Sequence, residues 1–271
     1  MKKVVLITGA SSGMGKATAM LLAEQGYQVY GAARNIKRAT ALAAAGVNCI
    51  TLDITNEASL QAAVQKIQQE EGRIDILINN AGFGLYGAVE DVNMDAARYQ
   101  LEVNLLGMAR LIQLVVPYMR KQKSGKIINI SSIGGRVVGP FGAWYHVSKF
   151  GVEALSDALR LELNPFGIDV ITIQPGGIKT EWSGIAMDNL NKTSGYGAYG
   201  EMVAKVIESN NKLSTEYSNP AVIANLILKA IQAKRPKTRY HAGYMSSMLL
   251  FLKKVVPDRI LDKMMLSQLK K

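Results

Sequence analysis

The chain has 271 residues, 48% of them hydrophobic and 20% charged, an ordinary globular composition without repeats or a long low-complexity linker. Its one cysteine, Cys49, excludes an intrachain disulfide and fits a reducing compartment, here the cytoplasm. The formal net charge of +11 invites a nucleic-acid reading, but the basic residues are dispersed except near the C-terminus, and a phosphate-bearing cofactor with ordinary solubility explains the balance as well.

No nucleic-acid partner is therefore expected. Met1-Lys2-Lys3 precedes an apolar run, Val4 to Ile7, that is too short for a signal peptide. No stretch reaches the roughly 18 apolar residues of a membrane helix. Sheets that alternate with helices often run to this length as one domain, so residues 1–271 are read as a single α/β unit.

Val4 to Ile7 reads as a strand buried on both faces. Thr8-Gly9-Ala10-Ser11-Ser12-Gly13-Met14-Gly15 follows, then a helix through Ala17, Met20, Leu21, Leu22 and Ala23 that stops at Gly26. Tyr27 to Ala33 is the second strand. Amides at a helix start attract a phosphate, and glycines let it come close. The spacing is G-x-x-x-G-x-G, which makes Gly9, Ser11, Ser12, Gly13, Met14 and Gly15 candidate cofactor contacts. Arg34 ends the second strand, where the adenosine ribose of a dinucleotide lies. An acidic residue there suits NAD, whereas Ala33-Arg34 suits the 2′-phosphate of NADP(H), with Ser12 assisting.

Cys49 to Leu52 is a third strand ending in Asp53-Ile54. Asp53 either accepts a hydrogen bond from an adenine amino group or, like Thr55, caps the next helix. That helix runs from Ala58 to Glu70 and stops at Gly72. Ile74 to Ile78 is the fourth strand, closed by Asn79-Asn80-Ala81-Gly82. Its small residues admit a ribose and nicotinamide, and its Asn side chains are placed to pin neighbouring strands. Asp95 to Lys121 reads as one long helix whose apolar face is Leu101, Leu105, Leu106, Ala109, Ile112, Leu114 and Val115. Asn104 interrupts that face and needs a partner. Lys126 to Ile130 is the fifth strand and runs into Ser131-Ser132.

Tyr145 and Lys149 lie four apart at the start of a helix that ends at Pro165 and Gly167, so they share one face. A tyrosine pKa of about 10 is poor for proton transfer near neutrality, and a nearby cation lowers it. The pair then suits giving a proton to an alkoxide or taking one from an alcohol. Asp169 to Ile173 is the sixth strand, closed by Gln174-Pro175-Gly176-Gly177 at the same sheet edge. His146 and His241 have no metal-ligand spacing, and no metal site is expected.

In order and spacing, Thr8-to-Gly15, Asp53-Ile54, Asn79-to-Gly82, Asn104, Ser132, Tyr145-to-Lys149 and Pro175-Gly176 resemble the short-chain dehydrogenase/reductase family over residues 2–182. The resemblance implies a Rossmann-type parallel sheet of about seven strands. It implies an Asn104, Ser132, Tyr145, Lys149 tetrad. Ser132 would hold the substrate carbonyl, and Tyr145 would transfer the proton. Lys149 would lower the tyrosine pKa and bind the nicotinamide ribose, and Asn104 would hold a water. By the same resemblance Asp53, Ile54, Asn80, Ala81, Gly82, Pro175, Gly176, Ile178 and Thr180 contact the cofactor. The tetrad shows no departure from the family pattern.

Residues 183–219, rich in Gly, Ser, Asn and Tyr, read as a substrate lid with one helical piece, Glu201 to Ser209. Pro220 to Ala233 is a helix, and Arg239-Tyr240 starts the last strand. Residues 244–271 form an extension resembling that of the hydroxysteroid and retinol dehydrogenases. Its Met245, Met248 and Leu249-to-Leu252 cluster reads as a pocket wall, as packing on the domain or a partner subunit, or as a membrane-surface helix. Together these features predict an NADP(H)-dependent oxidoreductase of a small-molecule ketone or aldehyde and its alcohol, the alternatives being an NAD-dependent alcohol or sterol dehydrogenase and a non-catalytic nucleotide-sensing protein on the same fold. Trp144, Phe83, Phe141 and Trp182 are candidate apolar walls. The helices at 95–121 and 146–164 carry more apolar positions than one sheet face needs, which predicts a homodimer or homotetramer.

Overall fold

The computed structural model describes residues 2–35 and 40–267; Met1 and residues 268–271 of the C-terminal extension lie outside it. Its centre is a seven-stranded sheet, all parallel, in the order β3-β2-β1-β4-β5-β6-β7. The strands are β1 Val4–Thr8, β2 Gln28–Ala33, β3 Asn48–Thr51, β4 Ile76–Asn79, β5 Gly125–Ile130, β6 Ile168–Pro175 and β7 Arg239–Ala242. The helices between them are α1 Gly13–Glu24, α2 Thr40–Ala44, α3 Glu57–Glu71, α4 Met94–Leu101, α5 Gly107–Gln122, α6 Ala143–Leu163, α7 Glu181–Ser194, α8 Gly200–Ser214 and α9 Ala221–Gln232. Two more, α10 Ser246–Val255 and α11 Asp258–Ser267, close the chain.

The continuous apolar runs are explained by two cores. Alternate strand residues point to opposite faces. Val4, Leu6, Leu77 and Ile127 meet Leu60, Val64 and Ile67 of α3 and Leu111, Ile112, Val115 and Met119 of α5. Val5, Ile7, Ile78, Ile128 and Ile173 meet Ala19 and Leu22 of α1 and Ile223, Ile227 and Ile231 of α9. Strand order reverses between β1 and β4, and the crevice beyond those carboxyl ends is where such a sheet takes ligands. The asparagines pin that edge. Asn79 donates to Asn129 at 2.9 Å, and Asn129 donates to Ser156 at 2.9 Å.

Three expectations need correction. The helix at 95–121 is not uniform: Glu102–Leu106 form a π-helical segment between α4 and α5. The extra residue per turn there rotates Leu106 outward, to 53% exposure, while Asn104 turns in to 2%. The cap of α3 is Asn56, which accepts from the Ser59 amide at 2.8 Å; Asp53 and Thr55 bond to each other instead. The lid region holds two full helices, α7 and α8, rather than one short piece. Buried Ala186, Leu190 and Val203 anchor them despite the polar composition. Among the described residues no helix is long and apolar enough to cross a membrane.

Candidate active site

The glycine turn lies between β1 and α1. Gly9 has φ +66°, which favours glycine, and a Cβ there would stand 2.9 Å from the Ala81 Cα. At Gly15 a Cβ would meet the Gly9 carbonyl oxygen at 2.2 Å. Helix start and turn are therefore packed backbone to backbone. Asn80 locks the arrangement, donating to the carbonyls of Thr8 and Gly9 at 3.0 and 3.1 Å. Thr8 Oγ1 in turn accepts from the amides of Asn80 and Ala81 at 3.0 and 3.1 Å. Ser12 is the N-cap of α1, but its side chain makes no capping bond. This cradle fits a dinucleotide pyrophosphate: its backbone is open to close approach, and the first turn of a helix points at it.

Arg34 and Asp53 stand at the ends of β2 and β3. The exposed Arg34 donates from Nη1 to the Tyr99 hydroxyl at 2.9 Å. Asp53 accepts from the Thr55 amide and hydroxyl at 2.9 and 2.8 Å. Burial pushes its carboxyl up, but those bonds and the charge of Arg34 outweigh it and leave it below the usual carboxylate range.

The chemical groups come from β5 and α6. Ser132 ends the strand segment and caps a short turn, its Oγ accepting from the Gly134 amide at 2.9 Å. It lines the same cavity as Tyr145, and its hydroxyl favours the phenolate. Tyr145 and Lys149 are both buried on one face of α6. Lys149 donates to the Ile130 carbonyl at 2.9 Å, and its Nζ lies 6.0 Å from the Tyr145 ring centre. Burial pushes Tyr145 up to about 12, against the neighbouring Ser132 hydroxyl, which lowers it. Burial also pulls Lys149 down to about 8, with the nearby Glu153 opposing the fall. Burial is thus the largest influence on both groups. Both groups are desolvated, and the ammonium bonds to a carbonyl rather than to the phenol.

Asn104 uses both ends of its amide. Its Oδ1 accepts from the Phe83 amide at 3.0 Å, and its Nδ2 donates to the Phe83 carbonyl at 2.9 Å and to Ser148 at 3.1 Å. Glycines bring the neighbouring elements together here. A Cβ on Gly82 would lie 3.1 Å from Asn104 Oδ1, and one on Gly107 would lie 2.3 Å from the Ile54 carbonyl oxygen.

A cavity of about 710 Å³ joins these parts. Gly9, Ser11, Ser12, Gly13, Met14, Arg34, Asp53, Ile54, Asn80, Ala81 and Gly82 line it, as do Ser132, Tyr145, Lys149, Pro175, Gly176, Ile178 and Thr180. Gly15 and Asn104 stand behind the wall. Of the expected apolar walls, Phe83 and Trp182 line the cavity, whereas Trp144 and Phe141 do not. Phe141 adopts φ +63° and turns its ring to Tyr199, with centres 5.8 Å apart. Leu249 of α10 and Met265 of α11 reach the cavity, so the C-terminal extension supplies part of its wall. Tyr86, which the sequence reading missed, lies 5.9 Å from Tyr145, and burial pushes its hydroxyl up. Its position shortly after the Asn79-to-Gly82 strand end was the available signal. His146 is structural: Nε2 accepts from the Gly139 amide at 2.9 Å, and Nδ1 donates to the Gly134 carbonyl at 2.8 Å.

A parallel sheet with a phosphate cradle at its switch point, and a Ser–Tyr–Lys set in the same cavity, defines a nicotinamide-dependent oxidoreductase. A sequence model described as short chain dehydrogenase matches residues 3–190, and the chain belongs to the short-chain dehydrogenase/reductase family. It is 38% identical to a 3-ketodihydrosphingosine reductase of Bacteroides thetaiotaomicron, over 96% of this chain and 95% of that one. With an NADPH-dependent 3-dehydrocapnine reductase of Ornithobacterium rhinotracheale it shares 32% identity, over 99% of this chain and 98% of that one. The crystal structure of a short-chain dehydrogenase from Streptomyces avermitilis superposes with a TM-score of 0.82 at 29% identity, covering 100% of this chain and 96% of the other. The protein is accordingly an oxidoreductase of that family.

Proposed function

We propose that this protein is an NADP(H)-dependent reductase of apolar ketones or aldehydes, with Tyr145 as proton donor. The observation that carries the reading is that Ser132, Tyr145 and Lys149 line the same cavity as the glycine cradle. When bound, the nicotinamide supplies the hydride. Ser11 to Gly15 hold the pyrophosphate, Asp53 and Ile54 the adenine, and Arg34 with Ser12 the 2′-phosphate. Asn80, Ala81, Gly82, Pro175, Gly176, Ile178 and Thr180 hold the nicotinamide half, and Lys149 its ribose.

Ser132 orients the carbonyl oxygen toward Tyr145. A phenol held near 12 stays protonated at neutral pH, which suits donation to an alkoxide, a far stronger base. A Lys149 held near 8 is still mainly an ammonium at pH 7 and stabilises the phenolate that remains. Asn104 fixes the loop at Gly82 and Phe83. The preference for NADP(H) is supported by Ala33-Arg34 and by the name of the 3-dehydrocapnine reductase relative. An apolar substrate is supported by the Met187, Val206, Leu213, Leu249 and Met265 lining.

The same reading makes residues 1–271 one domain, with 183–219 as the substrate lid and 244–271 as an extension that walls the site. Exposed Tyr99, Leu106, Val147, Phe150 and Leu161 on the α4-to-α6 segment support a homodimer or homotetramer. A panel of ketones and aldehydes, each tested with NADPH and NADH, decides the function. Carbonyl-dependent oxidation of NADPH is expected. Absence of turnover with every carbonyl and both cofactors would overturn the reading.

A further inference from the structure

Trp182 stands in the first turn of α7, where its amide donates to the N-cap Thr180 hydroxyl at 3.3 Å. Its indole lies over the reacting end of the cavity. The ring centre is 5.1 Å from that of Tyr145, and Tyr86 meets it edge-on at 6.0 Å. Gly84 forms the seat. A Cβ at Gly84 would be 2.4 Å from Trp182 Cζ2 and 3.0 Å from Cη2, closer than real side chains approach. Gly84 is not in the left-handed region, so its backbone conformation does not bar alanine, and the nearest obstruction is the indole. The loop therefore lacks a side chain at this point and holds the indole against Tyr145.

Away from this aromatic end four helices supply a mostly aliphatic lining, interrupted by Ser209, Asn210 and Tyr217, whose hydroxyl donates to Asn210 at 3.2 Å. Ile185 and Met187 belong to α7, Val206 and Leu213 to α8, Leu249 to α10 and Met265 to α11. The cavity is thus unequal about Tyr145, with packed aromatic rings against it and a mostly aliphatic space elsewhere.

We propose that Trp182, seated on Gly84, determines which ketones reach Tyr145. It leaves room for a small substituent on one side of the carbonyl and sends the other, a long flexible aliphatic chain, among α7, α8, α10 and α11. The inference rests on the carbonyl-reductase reading above. A rigid wall discriminates by overpacking, because an extra methylene pressed against it forces side chains off their rotamers. Discrimination of this kind is worth about tenfold or more in kcat/KM.

The test compares a linear methyl ketone with its mid-chain isomer, which has the same carbon count and the same apolar area. Wild type is expected to favour the methyl ketone by about tenfold or more. Trp182→Ala should bring the two within roughly threefold by raising the mid-chain isomer, and Trp182→Phe should fall between. Gly84→Ala should mimic Trp182→Ala, because the new methyl evicts the indole. In the Trp182→Ala background, Gly84→Ala should add no further change in the ratio, as expected when two residues act through one contact. Thermal unfolding of each variant identifies any that fail to fold, and Trp182→Phe preserves the test in that event. An unchanged ratio in a folded Trp182 variant, or an equal loss on both ketones, overturns this inference alone. Absence of turnover with every carbonyl and both cofactors overturns the functional reading and this inference with it.

Discussion

Lys149→Met is expected to make the cofactor-free protein more stable at pH 7 while abolishing turnover. Burial takes the Lys149 ammonium from an ordinary 10.5 down to about 8. At about 1.36 kcal/mol per pH unit, that drop corresponds to about 3 kcal/mol of destabilisation from folding a charged lysine. Methionine keeps the apolar stem and removes the charge, but it leaves the Ile130 carbonyl without its 2.9 Å donor. That loss costs about 1 kcal/mol, so the net gain at pH 7 is about 2 kcal/mol. The sign reverses with pH. Below about pH 8 the lysine is protonated in both states and the penalty is complete. Between about 8 and 10.5 the unfolded chain holds the proton and the folded one has released it, so wild type gains stability as pH rises. By pH 10.5 the penalty has largely gone and the methionine variant should be the less stable by about 1 kcal/mol. Urea unfolding of both proteins at pH 7 and pH 10 measures the difference, and other titrating groups cancel. A variant less stable than wild type at pH 7, or a gap independent of pH, would refute the claim that desolvation dominates at this lysine.

Tyr145→Phe should keep NADPH affinity within a few fold and lower kcat by about 10²–10⁴, the usual worth of a positioned acid. Steady-state rates with a cofactor titration check both halves, and near-normal turnover would remove Tyr145 from the proposed role. Wild type should prefer NADPH over NADH by about tenfold, the low end for one charge-assisted contact, because Arg34 is exposed and must exchange its bond to Tyr99 for the phosphate. Ala33→Asp/Arg34→Ala should reverse that preference in kcat/KM, and an unchanged ratio would mean that Arg34 does not meet the phosphate. Light scattering at micromolar concentration should return the mass of a dimer or tetramer; a monomer would leave the exposed apolar side chains of α4 to α6 without the proposed partner.

The sheet was legible because its inner strands are buried on both faces and end in small or polar residues at one edge. The glycine spacing located the cradle, and the four-residue spacing of Tyr145 and Lys149 located the chemistry. Both are local signals. What stayed hidden depends on contacts between distant segments. The π-helical turn at Glu102–Leu106 has no composition of its own. Helices α7 and α8 look like loop by composition, and packing of Ala186, Leu190 and Val203 overrides that tendency. Phe141 reads as a pocket aromatic until its left-handed backbone turns it toward Tyr199. Spacing also says nothing about desolvation, so the burial that raises Tyr145 could not be read from the proximity of a lysine.

The irregular turn and the aromatic wall belong to one construction. Gln100 and Asn104 are four apart, both fully or nearly fully buried, and both spend their amides on the same loop. Gln100 donates to the Phe83 carbonyl at 2.8 Å and accepts from the Leu85 amide at 2.6 Å. Asn104 takes the Phe83 amide and shares its carbonyl. A regular helix through this point would keep one apolar stripe facing the sheet. The π turn permits a change of face, so the amides reach the loop while Met108, Leu111 and Val115 still meet the core. Buried amides that find partners hold geometry, whereas unpaired ones cost stability. The loop they hold carries Gly82 beside Lys149, Gly84 beneath Trp182 and Tyr86 beside Tyr145. One distortion in a helix thereby fixes the backbone on which both the expected cofactor contact and the aromatic wall depend.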